Sequence, residues 1–363
     1  MNNFVLRRKF WKNKKVLITG HNGFKGTWLS LTLSILGAKV YGYSLDPPTN
    51  PNLFSLIKLK KKIQKSFYGD VRDKKKLKKI FSAVKPQIVF HLAAQPLVLD
   101  SYRNPYETFE INFLGTLNVL EITKNMKKVK STIIVTTDKV YKTSSKKNSY
   151  VETDELGVTD PYGSSKVTAE IVSETYIKLL YKKNKFLKAA TVRAGNVLGG
   201  GDFSKNRLIP DLIRSLINSS NKLIIRNPDH IRPWQFVMEP LYGYILLSEK
   251  IYKKKIIIND YCWNFAPNEE NCITVKKFIK IFNKNIEKKL KIKFYNSLNY
   301  KDKKETKILK LKNHKSKKLL NWKPKYKVKK IIDLIREWYF LGYKINKNEK
   351  IISSQIKEFL LEK

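Results

Sequence analysis

The chain of 363 residues has few cysteines and no long uninterrupted apolar run. Cys262 and Cys272 are too few for a disulfide framework and lack metal-ligand spacing, as expected of a protein in a reducing cytoplasm. The basic segment 1–15 lacks the apolar core of a signal peptide, and polar residues interrupt the apolar stretch 28–43 before it reaches membrane-spanning length. The sequence therefore predicts a cytoplasmic protein without a membrane segment.

Acidic residues are scarce: 30 Asp and Glu stand against 74 Lys and Arg, which gives a formal net charge of +44. Such a charge suits a polyanionic partner, because bound cations release the counterions that condense on nucleic acid. However, the lysines are scattered over the whole chain, and no nucleic-acid-binding motif accompanies them. We therefore attribute the charge to biased composition and expect no specific nucleic-acid partner, although the charge would still attract a phosphorylated substrate.

The first half of the chain alternates strand-like and helix-like patterns. The strand-like segments are 15–20, 38–46, 86–95, 131–138 and 187–196, and the clearest helical segments are 27–36, 106–125 and 162–183. Strands that alternate with helices form βαβ units and a parallel sheet covered on both faces. The sequence therefore predicts an α/β fold with a doubly wound parallel sheet of the Rossmann type.

A glycine-rich loop follows the first predicted strand. In "TGHNGFKG" (19–26), Gly20, Gly23 and Gly26 lie between a strand and a helix, where glycines allow a tight turn and the backbone can approach a pyrophosphate at the helix start. Asp46 ends the second predicted strand, where an acid binds a ribose 2′-hydroxyl and repels a 2′-phosphate. The loop and the acid together predict an NAD site.

Other residues near these strand ends carry weaker signals. Asp70 and Val71, in "YGDVRD" (68–73), would extend the cofactor site towards the adenine, although alone the segment is only a loop. His91 ends a predicted strand and is expected to satisfy a buried hydrogen bond rather than do chemistry. The histidines and cysteines have no metal-ligand spacing, so no metal site is expected.

Tyr162 and Lys166, in "DPYGSSKVTAE" (160–170), are four residues apart and share one face of a predicted helix. A tyrosine is a poor base until a nearby cation stabilises its phenolate, and Lys166 can supply that charge. In a lysine-rich chain this spacing also arises by chance, but here it follows a dinucleotide loop and a strand that ends in Thr-Thr-Asp. The pair is therefore a candidate catalytic base and its helper.

The order of these motifs resembles that of the extended short-chain dehydrogenase/reductase superfamily, in particular its NAD-dependent epimerase/dehydratase family. Within it the chain is most similar to the CDP-glucose 4,6-dehydratases. The segments that carry this resemblance are "HLAAQPLV" (91–98), "VTTDKVY" (135–141), "DPYGSSK" (160–166), "TVRAGNVLGGGDF" (191–203), "RLIPD" (207–211) and "IRNPDHIRPWQFVMEPL" (225–241). The dTDP-glucose dehydratases have Glu where this chain has Lys139.

The resemblance implies an NAD-dependent lyase that converts CDP-glucose to CDP-4-dehydro-6-deoxy-glucose and water, for the biosynthesis of deoxysugars in polysaccharides. The sugar is oxidised at C4, water is eliminated across C5 and C6, and the hydride returns to C6. Tyr162 would take the proton of the 4-hydroxyl with help from Lys166 and Thr137, and Asp138 would protonate the leaving 6-hydroxyl. Lys139 would be either the C5 base or a cation that stabilises the developing enolate.

Asp138 and Lys139 make conflicting demands on each other. Asp138 must hold a proton to act as an acid, yet a lysine cation beside it would lower its pKa, and Lys139 must be neutral to act as a base. A pair with Asp138 protonated and Lys139 neutral would satisfy both demands, and such groups titrate together.

The resemblance also assigns binding roles along the chain. Residues expected to line the cofactor, besides those already named, are Phe24, Leu92 and Ala93. Residues expected to bind the nucleotide-sugar substrate are Gln95, Asn196, Arg207, Arg232 and Trp234. The predicted NAD-binding domain covers residues 1–195, with 230–260 returning to it, and a smaller C-terminal α/β substrate-binding lobe covers 196–363.

The expected partners are the nucleotide-sugar and a second copy of the chain. The helical segments 106–125 and 162–183 have apolar stripes that we expect to be mostly core: Phe109, Phe113, Leu117, Ile171 and Leu179. In the superfamily these two helices often pair across a dimer axis, which implies a homodimer or homotetramer. The alternatives are another nucleotide-sugar 4,6-dehydratase, a 4-epimerase, or a non-catalytic NAD-sensing protein that binds nucleic acid through its basic surface.

Overall fold

The alternating pattern of the first half folds into a parallel sheet. The computed structural model describes residues 3–142, 149–180, 186–217, 222–284, 291–295, 308–343 and 347–362. The strands are β1 (Lys15–Thr19), β2 (Lys39–Ser44), β3 (Lys65–Tyr68), β4 (Ile88–His91), β5 (Ser131–Val135), β6 (Ala189–Ala194), β7 (Val197–Leu198), β8 (Lys222–Arg226), β9 (Ile231–Pro233), β10 (Gln235–Phe236), β11 (Cys262–Phe265), β12 (Cys272–Thr274) and β13 (Lys291–Tyr295).

Seven of the described strands form this sheet, in the order β11-β6-β5-β4-β1-β2-β3. All pairs are parallel, with Thr19 opposite His91 on one side of β1 and opposite Tyr43 on the other. Strand order reverses at β1, since the chain first runs outward to β3 and then returns to β4. The loops that leave β1 and β4 therefore diverge and open a crevice at the carboxyl ends of the strands, which is where ligands bind in such sheets.

The described part of the chain contains fourteen α-helices, and some of them cover both faces of the main sheet. They are α1 (Asn3–Trp11), α2 (Phe24–Ile35), α3 (Leu53–Leu56), α4 (Lys74–Val84), α5 (Val98–Arg103), α6 (Pro105–Phe109), α7 (Gly115–Lys124), α8 (Pro161–Thr175), α9 (Leu208–Ile217), α10 (Met238–Tyr252), α11 (Val275–Lys284), α12 (His314–Leu320), α13 (Val328–Arg336) and α14 (Asn348–Leu361). Because both faces are covered, the strands have buried runs such as the Ile88–His91 strand, in which all four residues are buried. The α/β fold class is confirmed.

The second half adds three small two-stranded sheets and returns to the main one. β10 pairs with β7, β12 with β9, and β13 with β8. β11 lies parallel to β6 at the edge of the main sheet, with Cys262 opposite Thr191. The helix α1 is attached to α10, because the indole of Trp11 donates a hydrogen bond of 2.8 Å to Glu249.

Both predicted helices are found, but one expectation about them needs correction. The predicted helix 106–125 is a continuous helical stretch made of α6, a wider helical turn over Glu110–Leu114, and α7. The predicted helix 162–183 continues from α8 into a similar turn over Tyr176–Leu180, and residues 181–183 lie outside the described part. The apolar stripes on these helices are not mostly core: Ile171 is 56% exposed and Leu179 63% exposed. Apolar spacing shows that a helix has an apolar face, but not whether the same chain covers that face.

Both cysteines are free thiols, and no helix in the described part of the chain is long and apolar enough to cross a membrane.

Candidate active site

The glycine loop joins the end of β1 to the start of α2 in the crevice. Gly20 has a φ of +72°, and a Cβ there would lie 2.6 Å from the backbone nitrogen of Ala93. A Cβ on Gly26 would lie 2.0 Å from the carbonyl oxygen of Gly20, so only glycine lets the helix approach the loop. At Gly23 the nearest atom to a Cβ would be the carbonyl oxygen of Gly20 at 3.5 Å, an ordinary contact, so this position beside the first turn of α2 is less crowded than the other two. This geometry fits the pyrophosphate of a dinucleotide.

The loop is fixed to the end of β2, next to the predicted ribose acid. Asn22 donates from its amide to the carbonyl of Leu45 and accepts a hydrogen bond of 2.7 Å from the hydroxyl of Ser44. Asp46 follows immediately and is exposed. The carboxylate of Asp46 therefore lies at the rim of the crevice, where a ribose hydroxyl can reach it.

Asp70 and Val71 follow β3, in a segment that is held by its own hydrogen bonds and by packing on α7. The carboxylate of Asp70 accepts hydrogen bonds from the backbone and the guanidinium of Arg72, the shortest being 2.7 Å. Burial raises the pKa of Asp70, but these hydrogen bonds outweigh it and leave the pKa below its usual value. Val71 is buried, and a Cβ on Gly115 would lie 2.7 Å from its methyl group, so the segment packs directly on α7. Contact with the adenine stays a prediction for both residues.

His91 is a buried hydrogen-bonding residue, as expected. Its Nδ1 lies 2.7 Å from the hydroxyl of Thr19 and its Nε2 lies 3.2 Å from that of Thr116. Burial, together with the charge of Lys166, lowers the pKa of His91 to about 3, so the imidazole is neutral. Leu92 and Ala93, the next residues along, are half-buried beside the glycine loop.

The structure places Gln95 in a set of internal hydrogen bonds. Its side-chain oxygen accepts from the backbone of Leu97, and its amide nitrogen donates to Thr108 over 3.0 Å. Asn112 links this turn to the helix of Tyr162, because it accepts from the backbone of Gln95 and donates to Ser165 over 2.9 Å. Gln95 therefore shapes the turn after β4, and its contact with a sugar stays a prediction.

The carboxyl end of β5 carries the predicted acid. Thr137 donates a hydrogen bond of 3.1 Å to Asp138, whose carboxylate also lies against Gly195, where a Cβ would be 2.8 Å away. Burial raises the pKa of Asp138, although Lys139, Thr137 and Arg232 act in the opposite direction. The net direction for Asp138 is upward, so burial acts in favour of the protonated carboxyl against these opposing groups.

Tyr162 and Lys166 lie on one face of α8, directed towards the end of β5. Asp160 caps the helix by accepting from the backbone of Gly163 over 2.8 Å, and Pro161 occupies the first turn. Burial raises the pKa of Tyr162 to about 12, whereas its hydrogen bond with Thr137 lowers the pKa. Burial and the nearby charge of Lys25 lower the pKa of Lys166 to about 8. In the protein alone, the phenol therefore stays protonated at neutral pH.

A buried ion pair behind the site was missed from the sequence. Glu170, one turn after Lys166, accepts two hydrogen bonds of 2.9 Å from the guanidinium of Arg193 on β6. Thr136 and Thr191 also donate to this carboxylate. The network joins β6 to α8 and to the end of β5, and the predicted catalytic residues lie on α8 or directly after β5. Sequence offered one weak signal, which is an arginine inside an otherwise apolar strand.

Arg193 also supports the segment after β5. Its guanidinium donates over 2.8 Å to the hydroxyl of Tyr141 and lies 4.9 Å from the centre of that ring. Tyr141 in turn donates over 2.8 Å to Asn264 on β11. The segment that holds Asp138 and Lys139 is thereby connected to the edge of the sheet.

The predicted substrate residues from the second half differ in their surroundings. Arg207 forms an ion pair of 2.9 Å with Asp202, and Asn196 is exposed just after β6. Arg232 is partly buried and its charge reaches Asp138. Trp234 is 3% exposed, and its ring centre lies 4.4 Å from that of Phe278, which leaves little of the indole open to a nucleotide.

Lys25 is a residue of the site that the sequence motifs did not identify. It lies in the first turn of α2, and its partly buried side chain faces Asp138 and Arg207. Burial and the charge of Arg207 lower its pKa to about 8. Within the described residues no group of three or more histidine, cysteine or acidic side chains could hold a metal ion.

Comparison with known proteins agrees with this geometry. The sequence profile of the family described as GDP-mannose 4,6 dehydratase matches residues 17–335. The CDP-glucose 4,6-dehydratase of Salmonella typhimurium is 44% identical over 276 residues, which are 75% of this chain and 76% of that protein.

Solved structures show the same fold at low identity. Epimerase Mth375 from Methanothermobacter thermautotrophicus superposes with a TM-score of 0.77 at 21% identity, covering 95% of this chain and 97% of that one. The dTDP-glucose 4,6-dehydratase of Bacillus anthracis, solved in complex with NAD, has a TM-score of 0.72 at 19% identity, covering 91% and 98%.

Proposed function

Because the chain belongs to the GDP-mannose 4,6 dehydratase family, we propose that it is a CDP-glucose 4,6-dehydratase. It converts CDP-glucose to CDP-4-dehydro-6-deoxy-glucose and water, and so supplies a precursor for deoxysugars. The identity of 44% to the Salmonella enzyme supports this choice of substrate over the dTDP-, UDP- and GDP-sugars of other relatives.

The cofactor is NAD, which accepts a hydride from sugar C4 and gives it back at C6. Gly20, Gly23 and Gly26 fit its pyrophosphate, since a side chain at the first or third of these positions would collide with backbone. Asp46 would hold the ribose hydroxyls and repel the 2′-phosphate of NADP. The roles of Phe24, Leu92 and Ala93 in lining the cofactor belong to the same proposal.

Tyr162 would remove the proton of the 4-hydroxyl. Its hydrogen bond with Thr137 directs the phenol towards the strand end, and Lys166 lies one turn further along the same helix. Because burial raises the pKa of the phenol to about 12, it needs additional positive charge in the complete complex to act as a base.

The buried carboxyl of Asp138 is the observation that carries the proposal. Oxidation and reduction at C4 alone need no acid at C6, whereas loss of the 6-hydroxyl does. Burial favours the protonated form of Asp138, which can give its proton to that hydroxyl. The neighbouring Lys139 would take the C5 proton or stabilise the enolate that forms. A 4-epimerase has no use for this pair.

The second half would bind the nucleotide-sugar. Arg207 and Arg232 offer guanidinium groups, which pair phosphate oxygens with two hydrogen bonds. Asn196 is exposed at the end of β6, next to the Gly195 that contacts Asp138. We therefore assign residues 1–195 mainly to the cofactor and residues 196–363 mainly to the substrate. In the second half, β11 belongs to the main sheet and α10 packs against β5 and β6 of that sheet.

The exposed apolar face of α8 and its neighbours supports a homodimer. Leu114, Ile171 and Leu179 are 38%, 56% and 63% exposed, although they lie on helices that pack against the core. Pairing these helices with those of a second copy would give a four-helix interface and cover the face. We also propose a cytoplasmic location, where both cysteines would remain thiols.

The test is turnover of CDP-glucose with NAD in deuterated water, with dTDP-, UDP- and GDP-sugars in parallel. The expected product is lighter by one water, carries one deuterium at C5, and forms mainly from CDP-glucose. An isomer of unchanged mass would show a 4-epimerase instead. Failure to turn over any nucleotide-sugar while NAD still binds would remove the dehydratase assignment.

Two variants then separate the roles at the strand end. Asp138→Asn cannot donate the acidic proton, so we expect a loss of about 10²-fold or more in kcat with NAD binding retained. Lys139→Met should stop deuterium entry at C5 if the lysine is the base. A general slowing with normal labelling would instead assign it the electrostatic role.

A further inference from the structure

Lys25 lies in the candidate active site, near Asp138 and Arg207, although it belongs to none of the sequence motifs that assign roles there. It is the second residue of α2, two positions after the Gly23 that caps the helix. A cation is disfavoured at this position, because the amino-terminal end of a helix carries partial positive charge. The side chain is also partly buried, which disfavours charge further.

The surroundings of Lys25 contain more cations than available anions. Its electrostatic neighbours are Arg207, Lys166 and Asp138. Of the acids nearby, Asp202 is paired with Arg207, and burial favours protonation of Asp138.

Glu170, the acid nearest Lys166, forms a buried ion pair with Arg193. Within the described residues, the ammonium of Lys25 itself has no hydrogen bond or ion pair. The protein thus holds a lysine among other cations at a place where neither local structure nor a fixed partner stabilises its charge.

We propose that Lys25 binds a phosphate oxygen of a diphosphate and is thus a further ligand-binding residue of the site. The diphosphate comes from either the NAD cofactor or the nucleotide-sugar substrate. The first turn of α2 borders the space beside Gly23 that fits the cofactor's pyrophosphate, whereas Arg207 marks the side assigned to the substrate. The diphosphate of either ligand carries two negative charges, which would offset the charges of these cations. The inference rests on the proposed function, since that function brings the diphosphate to this crevice.

The position of Lys25 explains why a lysine is tolerated there. A phosphate at the start of a helix accepts hydrogen bonds from the free backbone N–H groups, and the lysine adds a charged donor to the same group. The unfavourable interaction with the helix dipole is then reversed, because the phosphate is attracted to both. In a protein that binds no anion there, the same charge would destabilise the folded state.

The experiment compares Lys25→Met, Lys25→Arg and the control Lys39→Met. Lys39 is exposed at the start of β2, at the opposite end of the sheet, so its loss changes net charge without touching the site. NAD and CDP-glucose are titrated separately by calorimetry into protein freed of nucleotide. We expect Lys25→Met to raise the Kd of one or both ligands by about 10- to 100-fold, as for loss of a charge-assisted hydrogen bond.

The pattern of losses identifies the source of the phosphate. Weaker binding of NAD alone assigns Lys25 to the cofactor, and weaker binding of CDP-glucose alone assigns it to the substrate. Lys25→Arg should retain affinity to within about threefold because it retains the charge. If both Lys25 variants lose affinity equally, or if neither ligand changes by more than about twofold, the inference is wrong. If the unaltered protein binds neither ligand, the proposed function itself fails.

Proton uptake gives a readout that a structural role would not change. An anion beside Lys25 favours its charged form and raises its pKa from about 8. At pH 8 the unaltered protein should then take up a fraction of a proton on binding, measured by calorimetry in two buffers of different ionisation enthalpy. The charge of Lys25 also lowers the pKa of Lys166, so the difference from Lys25→Met reports the coupled titration of the two lysines, which only the loss of Lys25 changes. Equal uptake by the two proteins contradicts the proposal.

Discussion

Replacing Glu170 by Gln should destabilise the protein more than any conservative change on its surface. The carboxylate of Glu170 and the guanidinium of Arg193 are joined by two hydrogen bonds of 2.9 Å, and their side chains are 1% and 2% exposed. An amide of the same size removes the negative charge but leaves the guanidinium buried. It also turns an NH₂ group towards groups that donate hydrogen bonds, among them Thr136 and Thr191.

The expected loss is about 3–5 kcal/mol of unfolding free energy, the usual cost of leaving one charge of a buried pair without its partner. Replacing both residues by Met removes the stranded charge, so the double variant should recover at least about 2 kcal/mol relative to Glu170→Gln. The matched control is Glu174→Gln, one turn further along α8. Its pair with Lys178 is 38% and 46% exposed, so the loss should be below about 1 kcal/mol.

Equilibrium unfolding in urea measures these differences at one fixed protein concentration, because dimerisation would add to the stability. Kinetics provide a second readout, since the pair joins the elements that carry Thr137, Asp138 and Tyr162. We expect kcat to fall in folded Glu170→Gln at temperatures well below its unfolding midpoint. The argument fails if Glu170→Gln costs less than about 1 kcal/mol, or if the double variant is no more stable than the single one.

Three further predictions concern the cofactor loop, a buried acid and the dimer. Gly26→Ala should abolish NAD binding, seen as loss of the thermal shift with NAD, because the new methyl group would lie 2.0 Å from the carbonyl oxygen of Gly20. Glu239→Gln should stabilise the protein by about 3 kcal/mol above pH 7 and by little at pH 5. Burial raises the pKa of the Glu239 carboxyl from 4.5 to about 7. Between these two pH values the native state keeps a proton that the unfolded state has released, so the stability of the unaltered protein falls as pH rises. Urea unfolding at the two pH values checks this, and an equal effect at both would contradict it. Ile171→Glu should convert the dimer to a monomer in light scattering, and an unchanged mass would place the interface elsewhere.

The sequence was most informative where backbone geometry restricts the choice of residue. The glycine loop was predictable because Gly20 needs a positive φ and Gly26 needs a missing side chain, and both requirements appear directly as residue identity. The helix of Tyr162 was predictable because Asp160 and Pro161 mark its start. The parallel sheet followed from alternating apolar runs, and it is confirmed.

What the sequence could not show depends on burial and on pairs that are distant along the chain. Ile171 and Leu179 have the spacing of core residues, yet they are exposed, because spacing does not distinguish a core from an interface. Lys25 could not be distinguished from the many surface lysines until its neighbours Asp138 and Arg207 were known. Arg193 revealed its role only when Glu170 was seen beside it, since each residue alone could be a surface charge.

The position of β11 in the sheet has a consequence for synthesis on the ribosome. β6 lies inside the finished sheet with all six residues buried, but its outer neighbour β11 is translated only after β7, β8, β9, β10 and the helices among them. Throughout that interval the nascent chain carries an unpaired, apolar strand edge, which is the kind of surface that templates aggregation. A translational pause before β11 (Cys262–Phe265) has left the ribosome should therefore be more harmful to yield than a pause after it has emerged and can close the edge.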